Sequence, residues 1–229
     1  MDLYAYLLLG VALLPVWICL YAVRPDLRPR MMKASLCGAL IGPAAEYWYL
    51  KDYWHPPVIF SVRFVAFEDL LFGFLVAGVS VAFYDVLFRT YNTPAVRGRR
   101  ARYLSYGFIV LSAAASLYVF STVLGFNSIF VSSLWSIGTA LVMVSVRHDL
   151  MFPSFMAGVL SSAIIVPIYL LLFGMLLPSY IHSYFFLGNT AYGGGPLPLT
   201  ELLWYFSWGT FAGIVANAVS GSRKIPLQA

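Results

Sequence analysis

The amino-acid sequence predicts an all-α integral membrane protein with seven transmembrane helices. Of its 229 residues, 61% are hydrophobic and 10% are charged, and the mean hydropathy is +0.83. Soluble globular domains are far more polar than this. The chain also contains seven apolar runs of the length that a bilayer-spanning helix needs, about 18 residues or more.

The seven runs cover residues 4–22, 32–50, 65–88, 103–123, 128–146, 152–177 and 197–220. The first run has no basic segment before it and no small-residue cleavage site after it, which indicates a retained helix rather than a signal peptide. We therefore predict a single polytopic membrane domain over residues 1–229.

The lysine and arginine residues predict the orientation of this domain. With the amino terminus outside, 12 of the 14 basic residues fall in cytoplasmic segments, and only Lys51 and Arg63 lie outside. This asymmetry follows the positive-inside rule and predicts a cytoplasmic carboxyl terminus. It also explains the net charge of +5, so nucleic acid is not expected as a partner. The basic cluster at 97–102 is typical of a topology signal that contacts anionic lipid.

A short internal repeat divides the chain. Residues 67–74 align with residues 199–206 at an offset of 132, sharing an acid followed by two leucines, so that Asp69 corresponds to Glu201. Each copy follows two predicted helices and a proline-containing outer loop. We predict parallel three-helix repeats in residues 1–89 and 128–221, with a basic loop and a connector helix in residues 90–127. A rhodopsin-like arrangement of the helices is compatible with this organisation.

Four carboxylates are the candidate catalytic residues. Glu46, Glu68, Asp69 and Glu201 all fall near the outer ends of predicted spans. A charge toward the bilayer centre costs about 2.5–3.5 kcal/mol on insertion scales, so such acids are candidates for function. Successive helical residues point about 100° apart, so Glu68 and Asp69 should not both face one cavity. The structural alternatives are helix capping by an acid such as Glu68, and an ion pair of Glu46 with Arg63.

Asp85 has a different predicted role. It lies near the inner end of the third predicted helix, close in sequence to cytoplasmic basic residues. We interpret it as the ion-pair partner of a cytoplasmic arginine.

Aromatic residues make up 17% of the chain and concentrate near the same outer ends. An interfacial aromatic belt explains part of this enrichment. It does not explain why the rings accompany the carboxylates, whereas stabilisation of a carbocation by aromatic rings would require both. The candidate substrate-binding residues are Trp48, Trp54, Phe72, Trp204 and Tyr205.

Motifs for cofactors are missing from the sequence. It contains no His-x-x-x-His, Cys-x-x-Cys, Gly-x-Gly-x-x-Gly or Walker pattern. We therefore expect chemistry without a built-in cofactor or metal. The three lysines lie in loops or toward helix ends, which argues against a rhodopsin with covalently bound retinal. The oligomeric state is left open.

The repeated acidic motif resembles the membrane-integral lycopene cyclase domain family, whose members carry a Pro-x-Glu-Glu-x-x-Phe-Phe-like sequence in each half. Residues 198–204 keep the proline and one acid, while residues 66–72 keep both acids and lack the proline. Thr200 stands where the family often has a second acid. The resemblance implies a seven-helix membrane enzyme of carotenoid biosynthesis, an isomerase that closes the ends of lycopene into rings.

On this resemblance the leading hypothesis is cyclisation of a polyene end by acid–base chemistry. Protonated Asp69 or Glu201 would donate to the terminal double bond, and Glu68 or Glu46 would remove a proton after ring closure. Two alternatives stay open. One is a non-enzymatic membrane protein that binds a carotenoid, retinoid or lipid; the other is a small transporter coupled to a proton or cation.

Overall fold

The computed structural model describes residues 1–62, 65–186 and 195–227, and this part of the chain is mostly helical. Its α-helices are α1 (Ala5–Val23), α2 (Arg28–Asp52), α3 (Phe67–Leu87), α4 (Arg99–Ser116), α5 (Ser128–Val146), α6 (Met151–Tyr169), α7 (Tyr180–Tyr184) and α8 (Leu199–Ser220). Its strands are β1 (Ser61–Val62), β2 (Val65–Ala66), β3 (Thr90–Asn92) and β4 (Lys224–Pro226). The strands form two small antiparallel pairs, β1 with β2 and β3 with β4.

Six helices of the described chain are long and apolar enough to cross a membrane, which fits an integral membrane protein. These spans are Asp2–Val23, Phe67–Leu87, Arg99–Val123, Ser128–Val146, His148–Leu176 and Leu199–Ser220. They correspond to six of the seven predicted runs. The remaining run, 32–50, is helical within α2, yet α2 is not among the six. Its first turns carry Arg28, Arg30 and Lys33, which lower its hydropathy.

Helix boundaries follow local sequence signals. The side chain of Asn127 accepts a hydrogen bond from the Ile129 amide at 3.1 Å and so caps the start of α5. At the other end of the chain, α8 stops at Gly221, whose φ of +74° is a left-handed conformation that glycine adopts without strain. Two spans change to π-helical geometry near their ends, in Leu117–Val123 and Leu170–Leu176.

Helices α3 and α8 form the centre of the bundle. In each of these helices, 56% of an apolar 18-residue segment is buried inside the protein. The corresponding share is 6% in the span that contains α4. Helix α3 packs against α1 and α2, helix α8 packs against α5 and α6, and α3 and α8 contact each other. Helix α4 is peripheral, and none of its residues is buried. The acids that begin α3 and α8 therefore lie at one end of the most enclosed pair of helices.

Small residues allow the central helices to approach closely. Gly38 of α2 faces Gly73 of α3, where an added methyl group would collide with the opposite backbone carbonyl. On the other side of the bundle, Gly209 and Gly213 of α8 face Ala157 of α6. An added methyl group would collide with the Ala157 carbonyl at Gly209 and with the Ala157 Cβ at Gly213. These glycines thus pack helices against each other within one chain.

The Gly38 contact predicts the effect of a single methyl group. Gly38→Ala should lower the free energy of unfolding by about 1–3 kcal/mol, because α2 must move away from α3 to accommodate the side chain. Thermal unfolding of the purified protein in detergent measures this. Gly107→Ala is the matched control, since nothing lies within 4 Å of a methyl group at that helical position. Equal unfolding temperatures for the two variants would contradict the close packing.

A buried polar cluster ties the chain together at the end of the bundle opposite Asp69. The side chain of Asp85 is fully buried, and its Oδ1 accepts hydrogen bonds from Lys224 Nζ at 2.5 Å and Thr90 Oγ1 at 2.6 Å. Its Oδ2 accepts from Asn92 Nδ2 at 3.0 Å and from Arg30 Nη1 at 3.4 Å. We call these five residues the Asp85 cluster.

The pairing of β3 with β4 brings Lys224 to Asp85, because Asn92 lies opposite Lys224 in the strand register. The expectation that Asp85 pairs with an arginine is confirmed by its ion pair with Arg30. The second ion pair, with Lys224, depends on a carboxyl-terminal strand that the sequence did not predict. The cluster is a structural clamp on the part of the chain that follows α8.

Candidate functional site

A cavity of about 290 Å³ lies between helices α2, α3, α4, α5 and α8. Its lining is almost entirely aliphatic and aromatic. Among the described residues that line it, Glu46 of α2 and Asp69 of α3 are the two carboxylates. An apolar cavity with two convergent acids is the strongest candidate for a functional site in the described chain.

Asp69 is positioned by the beginning of α3. The preceding residue, Ala66, is extended, and its amide donates a hydrogen bond to Asp69 Oδ2 at 3.1 Å. This is the capping contact that a third-position acid makes with the residue before a helix. The capping role considered for Glu68 therefore belongs to Asp69, which also faces the cavity.

Glu46 is held by a tryptophan from the loop that follows α2. Trp54 Nε1 donates to Glu46 Oε1 at 2.5 Å, and both side chains are buried. Trp54 forms an antiparallel bridge with Phe185, which follows the short helix α7. The loop thus folds back over this end of the bundle and directs the indole N–H toward Glu46. Arg63, the predicted partner of Glu46, lies outside the described residues.

Tyr6 lies on the cavity wall with both acids. It comes from the first turns of α1, lines the cavity and is 2% exposed. Its hydroxyl forms a side-chain hydrogen bond with Asp69 and interacts electrostatically with Glu46. Its ring packs edge-on against Trp54 at a centroid distance of 4.7 Å. Tyr6 is not among the candidate residues predicted from the sequence.

Glu201 occupies a separate position behind the cavity wall. Tyr53 donates to its Oε1 at 2.5 Å, and Tyr169 donates to its Oε2 at 2.6 Å. The Tyr53 hydroxyl also lies 2.9 Å from Thr200 Oγ1. Glu201 does not line the cavity, and its two carboxylate oxygens are held by the two tyrosines.

Glu68 turns away from the cavity, as its 100° offset from Asp69 predicted. It is 2% exposed, and its Oε1 accepts a hydrogen bond from the Ile59 amide at 2.7 Å. This contact fixes the loop between α2 and α3. Asp69 lines the cavity and Glu68 does not, so the two adjacent acids do not share one cavity.

The five aromatic candidates also fall into two groups, those that line the cavity and those that do not. Trp48, Phe72 and Trp204 line the cavity. Trp54 does not, because it packs behind Glu46, and Tyr205 does not, because its hydroxyl lies beside Tyr169 in the group around Glu201. These two residues act on the carboxylates rather than on the cavity surface.

Only part of the outer aromatic enrichment is an interfacial belt. Tyr47 and Phe186 are 48% and 59% exposed and fit that description. Tyr53 and Trp54, from the same segments of sequence, are buried and donate to carboxylates. Exposure therefore distinguishes two populations that look alike in the sequence.

Several cavity and carboxylate-binding residues were missed by sequence reasoning. The missed residues are Tyr6, Tyr49, Trp135, Tyr169, Trp208 and Phe211. A usable signal exists for three of them, because Tyr6, Tyr49 and Tyr169 carry hydroxyl groups inside apolar runs. A hydroxyl at membrane depth needs an internal partner, so such tyrosines point to buried acceptors.

The cavity reaches the surface of the protein between α2 and α4. Three of its lining residues, Leu40 and Ile41 of α2 and Val110 of α4, are 77%, 42% and 49% exposed. They lie on the apolar outer face of the bundle. This opening gives an apolar molecule a lateral route to the cavity that does not pass the loop carrying Trp54.

Comparisons of this chain with models of protein families, with curated proteins and with solved structures gave no match. No group of three or more metal-ligating side chains occurs within residues 1–62, 65–186 and 195–227. The geometry of the cavity indicates its chemistry. Glu46 and Asp69 each accept a hydrogen bond from a neighbouring group and face an aromatic space, where they can exchange protons with an apolar ligand.

Proposed function

We propose that this protein is a membrane-embedded, lycopene cyclase-like isomerase that closes a ring at the end of a linear polyene. The observation that carries the proposal is the pairing of Glu46 and Asp69 on one apolar, aromatic cavity. Ring closure of a polyene needs a proton donor, a proton acceptor and a surface that stabilises a carbocation.

We also propose a seventh span, a parallel repeat and an orientation for the helices. Helix α2 is the seventh span, its central apolar run flanked by charged residues at both ends. Helices α1–α3 and α5, α6 and α8 form parallel repeats, supported by the packing of the third helix of each set against the other two. The basic residues place the amino terminus outside and the carboxyl terminus in the cytoplasm.

The cavity favours one end of a polyene as its occupant. Its volume, about 290 Å³, is at the lower end of the range of roughly 300–1,000 Å³ for ligand pockets. A cyclising end group fits a space of this size better than an entire carotenoid does. The opening beside Leu40 and Val110 leaves the rest of the chain among the lipid acyl chains, so that the substrate never enters water.

The carboxylates can divide the chemistry between them. One carboxylic acid gives its proton to the terminal double bond, forming a C–H bond and a tertiary cation. A second double bond of the substrate attacks this cation, which forms the ring C–C bond and moves the positive charge onto the ring. The other carboxylate removes a proton next to that charge, and a new C=C bond forms. No electron is lost or gained.

Local geometry favours Asp69 as the base and Glu46 as the acid. Asp69 accepts hydrogen bonds from the Ala66 amide and from Tyr6 at the positive end of α3. Both features stabilise a carboxylate anion. Glu46 accepts one N–H, from Trp54, and lies toward the negative end of α2, where a neutral acid is easier to hold.

The aromatic lining supports the cationic intermediate. Trp204 stacks with Phe72 at 6.3 Å and with Trp208 at 6.2 Å between ring centroids, and all three line the cavity. Electron-rich ring faces attract a cation by roughly 2 kcal/mol or more where water is excluded. The described residues that line the cavity include no lysine, arginine or histidine, so no positive side chain opposes a cation beside these rings.

Expression in bacteria that accumulate lycopene tests the proposal. The wild-type protein should yield a new cyclic carotenoid of unchanged mass, resolved by chromatography and mass spectrometry. Asp149→Asn is a matched control, because it removes a carboxylate that is 43% exposed, is paired with Arg147 and does not line the cavity. It should cyclise like wild type.

The alternatives predict different results. Lycopene or another lipid that copurifies unchanged with a correctly folded protein would indicate a binding protein. Proton or cation flux into vesicles containing the purified protein, without any cyclic pigment, would indicate a transporter. Either result would overturn the cyclase proposal.

A further inference from the structure

We propose that Tyr6 returns the proton from Asp69 to Glu46 after each cyclisation and so resets the catalytic pair; this inference rests on the proposed function. Tyr6 lies on the cavity wall with both acids, at the start of a helix that contributes no other residue to the lining among those described.

A reset is required by the proton balance of the reaction. Cyclisation consumes no net proton, yet it leaves the acid deprotonated and the base protonated. The proton that Asp69 removes from one substrate must reach Glu46 before the next substrate is protonated. Water is a poor carrier here, because the cavity wall is almost wholly apolar and the loop carrying Trp54 covers this end of the bundle.

The contacts of Tyr6 suit it to this transfer. Its hydroxyl is hydrogen-bonded to Asp69 and lies within electrostatic range of Glu46. Its ring is fixed edge-on to Trp54, whose N–H holds Glu46, and packs against Phe72 at 5.8 Å. The side chain is 2% exposed, so the hydroxyl faces protein groups rather than bulk solvent.

The transfer balances as two coupled steps. Asp69 gives its proton to the phenolic oxygen of Tyr6, while the Tyr6 O–H proton passes to Glu46. Tyr6 ends the cycle as a neutral phenol, Asp69 as a carboxylate and Glu46 as a carboxylic acid. No oxidant, reductant or additional proton is needed.

Three other tyrosine hydroxyl groups near the cavity have hydrogen-bond partners elsewhere. The hydroxyl of Tyr49 accepts a hydrogen bond from Trp204 Nε1 at 3.0 Å. Tyr53 and Tyr169 donate to Glu201 at 2.5 and 2.6 Å. Of these four tyrosines, Tyr6 is the one that both lines the cavity and is hydrogen-bonded to Asp69.

The decisive variant is Tyr6→Phe, which removes the hydroxyl and keeps the ring against Trp54. With substrate limiting, one turnover per protein should proceed at a rate close to that of wild type, because Glu46 starts protonated. With substrate in excess, the steady-state rate should fall about 100-fold, the lower range of acid–base effects. Tyr4→Phe is the matched control: Tyr4 is 52% exposed, precedes α1 and should behave as wild type in both assays.

Isotope content gives a readout that a purely structural role would not change. In D₂O, wild-type turnover should retain part of the hydrogen taken from the previous substrate, so the product carries less than one deuterium per ring. Tyr6→Phe must be reset by solvent and should give close to one deuterium per ring. Mass spectrometry of the product measures both values.

The outcomes separate the two proposals. Wild-type protein without cyclase activity overturns the proposed function and the relay together. Active wild type with an unchanged steady-state rate and deuterium content in Tyr6→Phe overturns the relay alone. Loss of the single turnover in Tyr6→Phe also overturns it, since the hydroxyl would then be needed for the chemical step or for folding.

Discussion

Asp69→Asn and Glu46→Gln should each reduce cyclisation by about 1,000-fold, the middle of the range for losing a positioned acid or base. Both changes preserve side-chain shape and remove the exchangeable carboxyl proton. Asparagine can still accept the Ala66 amide hydrogen bond, and glutamine can still accept from Trp54 Nε1. Product quantified from membranes containing equal amounts of each protein measures the effect.

Glu201→Gln supplies the contrasting result. Since two tyrosines occupy this carboxylate and it does not line the cavity, we expect the variant to retain measurable turnover. Its thermal stability should fall, because hydrogen bonds to a charged group contribute about 1.5–3 kcal/mol each. Loss of activity in Glu201→Gln as complete as in Asp69→Asn, with normal stability, would assign the chemistry to Glu201 instead.

The largest expected effect on stability comes from the Asp85 cluster. Asp85→Asn should cost about 3–5 kcal/mol of unfolding free energy, because it leaves Lys224 and Arg30 without a buried carboxylate partner. Thermal unfolding in detergent checks the size of the loss. Asp26→Asn is the control, since Asp26 is half exposed and its ion pair with Arg24 lies at the surface.

The loss in Asp85→Asn should depend on pH through Lys224. Burial and the nearby Arg30 lower the pKa of Lys224 to about 7, against the opposing effect of Asp85. Removing Asp85 lowers that pKa further below its ordinary value of 10.5. Unfolding of the variant then takes up a proton at neutral pH, so its destabilisation relative to wild type should be largest at low pH and shrink as pH rises toward 7. Above pH 7 the difference should level off, because Lys224 is then neutral in both folded proteins.

A double variant tests the same cluster from the other side. Adding Lys224→Met to Asp85→Asn removes the buried ammonium group and should restore part of the lost stability. If the double variant is less stable than Asp85→Asn at every pH, the clamp does not act through this charge pair.

The fold was largely predictable because membrane insertion leaves a direct mark on composition. Six of the seven predicted runs correspond to spanning helices, with boundaries that differ by a few residues at most ends. Helix α2 was the exception, because Glu46 and the charged residues at its two ends lower its mean hydropathy. The strands β3 and β4 were not predictable from periodicity, because each has only three residues.

The candidate site was predictable in residue type but not in arrangement. A carboxylate inside an apolar run is costly wherever it lies, so Glu46, Glu68, Asp69 and Glu201 could be selected from the sequence. The sequence could not show that Asp69 lines a cavity while Glu201 is held by Tyr53 and Tyr169. That difference depends on which tyrosines approach from other helices.

By itself, the sequence determined the membrane class, the approximate helix boundaries and the small set of acids on which a function can rest, because these follow from local hydropathy and helix geometry. Tertiary structure decided which acids form a pair, where the cavity opens and that Tyr6 lines the same cavity as Glu46 and Asp69. These properties arise from contacts between residues far apart in the chain, and hydropathy carries no information about such contacts.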